Sequence, residues 1–176
     1  MGFIEREGKA VTRSFRIDKA LNDELESEAE KQGVSVSYVL ELMVENYLNH
    51  YRWADRSGVI SFHPTTLNQL LDQLDEKTIS QIGYNTGFSV PRQGLLMRGA
   101  PINEDSAKQV LQILGEYDNW FTVSYHDADP PYYFIRNLQG EKWIIFIESY
   151  LKGLFKNILE KEVTCKRVGD NIQVIL

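Results

Sequence analysis

The chain has 176 residues, of which 43% are hydrophobic and 25% charged, a composition that predicts one domain or two small ones and excludes wholesale disorder. No apolar run approaches the ~20 residues that cross a bilayer, and the first residues lack a signal peptide pattern, so we expect a cytoplasmic protein without a membrane partner. The net charge of −6 argues against nucleic acid binding, unless the basic residues are concentrated in one place.

The basic residues do concentrate near the amino terminus, around the first predicted element. Residues 11–17 predict a strand, because β-branched and aromatic side chains alternate roughly with polar ones. The alternation places Phe15 and Ile17 on a buried face, and it places Thr12, Ser14 and Arg16 on the opposite face. The cations in and beside this strand are Arg6, Lys9, Arg13, Arg16 and Lys19.

Two helices are predicted to follow the strand. Asp18 is a suitable N-cap for the first, whose apolar residues recur every four positions until Gly33 ends it. Ser35 or Ser37 caps the second helix, predicted from about residue 38 to residue 51. Its apolar face is formed by Val39, Leu40, Met43, Val44, Tyr47 and Leu48.

A single strand with two short helices cannot bury its own apolar surface, since the strand has two unpaired edges and about fifty residues form little core. Two copies solve the problem, because their strands pair antiparallel and their four helices cover one face of the ribbon. The other face is left for solvent or DNA, and a two-stranded ribbon fits the major groove. Arg13 falls on the buried side of the alternation, and we expect it to turn to a phosphate.

The start of the second helix supplies a further predicted DNA contact. Free backbone N–H groups and the positive end of the helix dipole bind phosphate there, and the hydroxyls of Ser35 and Ser37 can add to the contact. Such contacts fix the position of a protein on DNA without reading its sequence.

The segment RSFRIDKALNDELESEAEKQGVSVSYVLELMVENYL resembles the ribbon-helix-helix superfamily, which includes the Arc, MetJ and CopG repressors. The resemblance covers roughly residues 9–50. It implies an obligate dimer, base reading by Thr12, Ser14 and Arg16, and phosphate contact by Val36 and Ser37. The segment departs from the family pattern in Arg13, which stands at a usually apolar position, and in its acidic first helix.

The character of the sequence changes at residues 54–58, which predicts a DNA-binding domain over 1–54 and an α+β domain over 58–176. The expected helices of the second domain cover about 64–82, 103–115 and 141–158, and its expected strands cover 59–62, 120–126, 132–138, 163–167 and 172–176. Residues 83–98 are rich in glycine, and only a short strand near 95–97 is suggested there. The strands predict a mostly antiparallel sheet.

Neither catalysis nor metal binding has support in the second domain. It has no phosphate-binding loop, nucleophile elbow or metal-hydrolase helix, so we expect no enzyme and no cofactor. His126 with Asp127 and Asp129 is the best candidate metal cluster, but this pattern is more typical of a polar hairpin tip. Ten aromatic residues between 120 and 155 are typical of a core, although a ligand pocket or a subunit interface stays open.

The sequence therefore predicts a homodimeric, sequence-specific transcriptional regulator that binds double-stranded DNA. Its second domain is expected to sense a small-molecule effector or to drive assembly to a dimer or a tetramer. The alternative is an antitoxin that neutralises a toxin protein and also binds its own operator. The long second domain argues against that alternative, because such antitoxins usually end in a short segment that folds on the toxin.

Overall fold

The computed structural model describes residue 4 and residues 8–176. The chain divides into two compact units, one running up to Arg56 and the other beginning at Ser57. This division falls within the segment 54–58, where the character of the sequence changes.

The amino-terminal unit contains helices α1 (Lys19–Gln32), α2 (Val36–Asn46) and α3 (Arg52–Ser57), with one π-helical turn (Tyr47–Tyr51) between the last two. The side chain of Asp18 caps α1 by accepting a hydrogen bond from the Ala20 N–H at 2.9 Å. Gly33 ends α1 in the left-handed conformation, with φ of +67°. The predicted caps at both ends of the first helix are confirmed. The predicted end of the second helix at residue 51 is wrong, because the chain stays helical to Ser57.

The predicted strand over residues 11–17 does not form in the single chain, whose first element is α1. The physical reason is that a strand needs a neighbour for its backbone N–H and C=O groups. In the predicted ribbon, that neighbour is the same segment of a second copy. The amino-terminal strand of the predicted β-α-α arrangement is therefore not present in one chain. The α+β class itself is confirmed, because the carboxy-terminal unit contains a sheet.

The carboxy-terminal unit combines four helices with one sheet. The helices are α4 (Pro64–Asp72), α5 (Glu76–Arg98), α6 (Glu104–Glu116) and α7 (Glu141–Leu159), and the strands are β1 (Phe121–His126), β2 (Tyr132–Asn137), β3 (Thr164–Val168) and β4 (Asn171–Ile175). The strand order is β1-β2-β4-β3, and every neighbouring pair is antiparallel. The predicted antiparallel sheet is confirmed, and it contains two hairpins, β1–β2 and β3–β4.

Three details of this unit differ from the sequence-based expectation. Residues 59–62 form no strand. The helix predicted over 64–82 is two helices, because Asp75 starts a new one by accepting a hydrogen bond from the Thr78 N–H at 2.8 Å. The strand suggested near 95–97 is wrong, since α5 continues to Arg98.

The glycines of α5 lower its helix propensity, but they allow its backbone to pack closely against α7. Gly83 and Gly87 of α5 face α7, where a Cβ on Gly83 would lie 2.5 Å from the Phe146 carbonyl oxygen. Gly153 of α7 is equally close to the backbone of α5. The hydroxyls of Ser80 and Ser149 also meet across this contact, at 2.7 Å. Close packing of the two backbones therefore outweighs the conformational cost of glycine in a helix.

Seven of the ten aromatic residues between 120 and 155 form the core of the carboxy-terminal unit or pack against it, as the sequence favours, whereas Tyr125, Tyr132 and Phe134 do not. Trp143, Phe146, Tyr150 and Phe155 of α7 are buried. The half-buried Trp120 packs edge-on against three of these rings, with centroids 5.1–5.8 Å away, and its carbonyl accepts a hydrogen bond from Trp143 Nε1 at 3.1 Å. Within the described residues, no helix is long and apolar enough to cross a membrane.

Helix α7 also holds the end of α4 through one side chain. The Lys142 ammonium donates to the carbonyl oxygens of Leu71, Asp72 and Leu74, at 3.2, 3.0 and 2.6 Å. A cation near the carboxyl end of a helix is favourable, because the last carbonyls there have no partner within the helix.

Glu148 links α7 to the sheet through an ion-pair network. Its carboxylate accepts hydrogen bonds from Lys152 Nζ at 2.7 Å and from Arg167 Nε of β3 at 2.9 Å, and its side chain is only 18% exposed. Burial alone would raise the pKa of this carboxyl, but the hydrogen bonds from Lys152 and Arg167 hold the pKa below its ordinary value of 4.5.

We expect Glu148→Gln to lower the free energy of unfolding by about 1–3 kcal/mol at pH 7, since the cations of Lys152 and Arg167 lose the negative charge and one of the two acceptor oxygens of the carboxylate. Because the pKa of Glu148 is lower in the folded state than in the unfolded state, the ionised carboxylate stabilises the fold at pH values above the unfolded pKa of 4.5. This stabilisation is lost as the pH falls through the lower pKa of the folded state. Urea unfolding of both proteins at pH 7 and pH 3 measures the difference, which should shrink at the lower pH. Glu104→Gln, which removes an exposed pair with Lys108, is the control and should cost under about 0.5 kcal/mol. Equal effects of the two substitutions would contradict this role of Glu148.

Candidate nucleic-acid interface

The segment before α1 carries the predicted base-reading residues. Thr12, Ser14 and Arg16 are exposed, and so is Arg13, the predicted phosphate contact. Arg6, which the sequence groups with these cations, lies outside the described residues. Lys19 is the first residue of α1, and its ammonium forms a salt bridge with the Asp23 carboxylate at 2.5 Å.

The turn between α1 and α2 is fixed by hydrogen bonds at both helix ends. The N–H groups of Gly33 and Val34 donate to the Glu30 and Ala29 carbonyls at 3.1 and 3.0 Å, which closes α1. The Ser35 hydroxyl then accepts a hydrogen bond from the Tyr38 N–H at 3.2 Å and caps α2. The turn therefore sets the direction in which the first turn of α2 points.

The predicted phosphate contacts lie together at the start of α2. Ser35 is the N-cap, and Val36 and Ser37 are the first two residues of the helix. Backbone N–H groups at these positions have no acceptor within the helix, and the first turn of α2 contains no acidic residue. This end of the helix is electrostatically suited to an anion.

The amino-terminal unit exposes many of its large apolar side chains. Val11 and Phe15 are 78% and 65% exposed, and among the apolar residues of the unit that the structure describes, only Ala29 and Val39 are buried. Further exposed apolar side chains lie on both helices and on the π-helical turn: Leu21, Leu42, Met43, Val44, Tyr47 and Tyr51. An apolar surface of this extent is typical of a protein interface.

Two features of this unit were not predicted from the sequence. Arg52 and Arg56 both place their guanidinium groups over the Trp53 ring, 4.7 and 4.9 Å from its centroid. The Asn49 side-chain amide pairs with the Ile4 backbone, accepting from its N–H at 3.0 Å and donating to its carbonyl at 3.3 Å. The spacing Arg-Trp-x-x-Arg is the signal that could have identified the first feature, whereas no local pattern announces the second.

His126, the histidine of the candidate metal cluster, contacts side chains outside that cluster. The His126 ring stacks on Tyr132 with a centroid distance of 4.7 Å, and its Nε2 lies 3.0 Å from the Ser124 hydroxyl. Among the residues that the structure describes, no group of three or more histidine, cysteine, aspartate or glutamate side chains is placed to hold a metal ion.

The candidate interface thus consists of two elements, the exposed segment 8–18 and the first turn of α2. The structure fixes the second, whereas the first forms no strand with any other segment that the structure describes. Comparisons with protein-family models, with curated proteins and with solved structures find no match for this chain.

Proposed function

We propose that this protein is a sequence-specific DNA-binding transcriptional regulator that acts as a homodimer. In the dimer, residues 11–17 of two copies pair antiparallel and form a ribbon that enters the major groove. The observation that carries the proposal is the exposure of Phe15 and Ile17, which the alternation assigns to the dimer core, and of Val11, which has the same position in the alternation.

A second copy accounts for the apolar surface of the whole amino-terminal unit. Pairing of the two segments satisfies their backbone groups and turns Phe15 and Ile17 of each copy towards the helices. The exposed apolar residues of α2 and the π-helical turn then cover the ribbon from one side. Thr12, Ser14 and Arg16 stay on the opposite side, and they are residue types that read base edges.

The start of α2 anchors the same dimer to the DNA backbone. The N–H groups of Val36 and Ser37 and the Ser37 hydroxyl can donate to one phosphate, while the Ser35 hydroxyl also caps the helix. The net charge of −6 is compatible with this function because residues 9–17 contain the three cations Lys9, Arg13 and Arg16 and no aspartate or glutamate. The carboxy-terminal unit is left to sense a small-molecule effector or to drive assembly.

The proposal is tested by separating base reading from anchoring. We expect Arg16→Ala to cost about 1–3 kcal/mol on the preferred operator and to relax the preference at one base pair in each half-site. The operator is selected from a random DNA pool, and binding to it and to each of its single-base variants is measured at fixed salt.

Ser37→Ala is the matched variant, because its hydroxyl lies where only phosphate is within reach. We expect it to weaken binding to all sequences about equally, since phosphate contacts carry no base information. If Arg16→Ala keeps the full sequence preference, the segment 11–17 does not read DNA and the proposal is wrong.

A further inference from the structure

The sheet of the carboxy-terminal unit has one face packed on helices and one face turned away from them. On the packed face, Arg167 reaches Glu148 of α7, and Tyr133 lies 6.0 Å from the Phe155 ring of α7. The neighbours of these residues in each strand point to the opposite side. We call that side the outer face; Lys166 of β3 and Phe134 of β2 belong to it.

The outer face carries aromatic rings in its centre. Tyr132 and Phe134 both lie on β2, which is flanked by β1 and β4, and both are half-buried. His126 of β1 is directly opposite Tyr132, and the two rings stack with an angle of 11° between their planes. Aromatic rings at the centre of an open sheet can stack with unpaired bases.

The charge of the outer face is positive although the protein is acidic. Arg136 of β2 and Lys166 of β3 are exposed on it, and none of the outward positions of the four described strands holds an aspartate or a glutamate. A second copy of the same face would bring like charges together, whereas a polyanion would neutralise them.

Two polar side chains flank Phe134 on the outer face. Gln173 of β4 and Ser124 of β1 are its direct neighbours across the sheet. The Gln173 amide can both donate to and accept from a ribose 2′-hydroxyl, the group by which proteins distinguish RNA from DNA.

We propose that the outer face binds a short segment of single-stranded RNA. Phe134 and Tyr132 stack with successive bases, Arg136 and Lys166 contact phosphates, and Gln173 contacts a 2′-hydroxyl. This binding is separate from the proposed contact with duplex DNA, which uses the amino-terminal unit.

The test measures the affinity of the full-length protein for a labelled eight-nucleotide RNA of random sequence, which is long enough to supply the stacked bases and the neighbouring phosphates. We expect Phe134→Leu to weaken binding about tenfold, because a stacking ring is lost. We expect Arg136→Gln to weaken binding and to reduce the slope of log affinity against log salt by about 0.7. Lys77→Gln removes an exposed cation from α5 and should change neither quantity.

Two further measurements keep the result independent of folding and of the amino-terminal unit. RNA containing bromouridine should crosslink under ultraviolet light to the peptide that contains Tyr132 and Phe134. The RNA affinity should persist in Arg16→Ala, whose operator preference is relaxed if the proposed function is correct.

The proposal is overturned if single-stranded DNA of the same length and random sequence binds as tightly as the RNA, or if crosslinks map only to the amino-terminal unit. It is also overturned if Arg136→Gln changes the oligomeric state and leaves RNA binding intact, because a second copy would then cover the outer face.

Discussion

Gly87→Ala is expected to destabilise the carboxy-terminal unit by about 3 kcal/mol or more, at the upper end of what overpacking costs. A Cβ at this position would lie 2.7 Å from the Tyr150 carbonyl carbon and closer still to its oxygen, so the α7 backbone would have to move. Gly83 and Gly153 are packed equally tightly in the same contact. A shift at Gly87 would therefore disturb the whole contact between α5 and α7.

Gly94→Ala provides the control for this prediction, since Gly94 lies in the same helix and a Cβ there would meet nothing within 4 Å. We expect it to stabilise the unit by about 0.5–1 kcal/mol, because alanine loses less conformational freedom than glycine in a helix. Urea unfolding followed by tryptophan fluorescence compares the two variants with the parent. A Gly87→Ala variant that is as stable as the parent, or that is stabilised as Gly94→Ala is expected to be, would show that the helices do not depend on close contact at Gly87.

Phe15→Ala is expected to destabilise the proposed dimer by about 3–5 kcal/mol, the usual cost of removing a buried aromatic ring. The side chain is 65% exposed in the single chain, so a loss of this size requires a second copy to bury it. Folding and association of the amino-terminal unit should be lost together. Sedimentation equilibrium and urea unfolding at several protein concentrations measure both.

Thr12→Ala is the matched change in the same segment, and it should leave the dimer intact, because Thr12 is assigned to the face that contacts DNA. An amino-terminal unit that remains folded and monomeric at micromolar concentration, in the parent protein or in Phe15→Ala, would exclude the ribbon.

Much of the carboxy-terminal fold could be predicted because its signals are local. The turn Asp127–Pro131 separates two strands that alternate in burial, and the Glu141–Leu159 helix has a continuous apolar pattern. Helix α5 could not be predicted in this way, because Gly83 and Gly87 oppose a helix until α7 packs against them. The break before α5 does have a local signal, Asp75 followed by Thr78, which the apolar pattern of the leucines conceals.

The candidate interface also has one part that could be predicted from local sequence preferences and one part that could not. The cap at Ser35 and the left-handed Gly33 follow from short-range preferences, so the geometry at the start of α2 could be predicted. The conformation of segment 11–17 could not be predicted in this way, since the proposed pairing of this segment would require a second chain. The Asn49 contact with Ile4 joins residues that are 45 positions apart, and a single sequence contains no signal for such a pair.

The three hydrogen bonds from Lys142 to the end of α4 have a consequence for motion within the carboxy-terminal unit. One ammonium group satisfies carbonyls of Leu71, Asp72 and Leu74 at once, so α4 cannot fray from this end without releasing the amine to solvent. An amine held in this way reacts slowly with acylating reagents until it is released. The reactivity of Lys142 in the native protein therefore reports how often α4 opens locally, a sub-global fluctuation that equilibrium unfolding does not resolve.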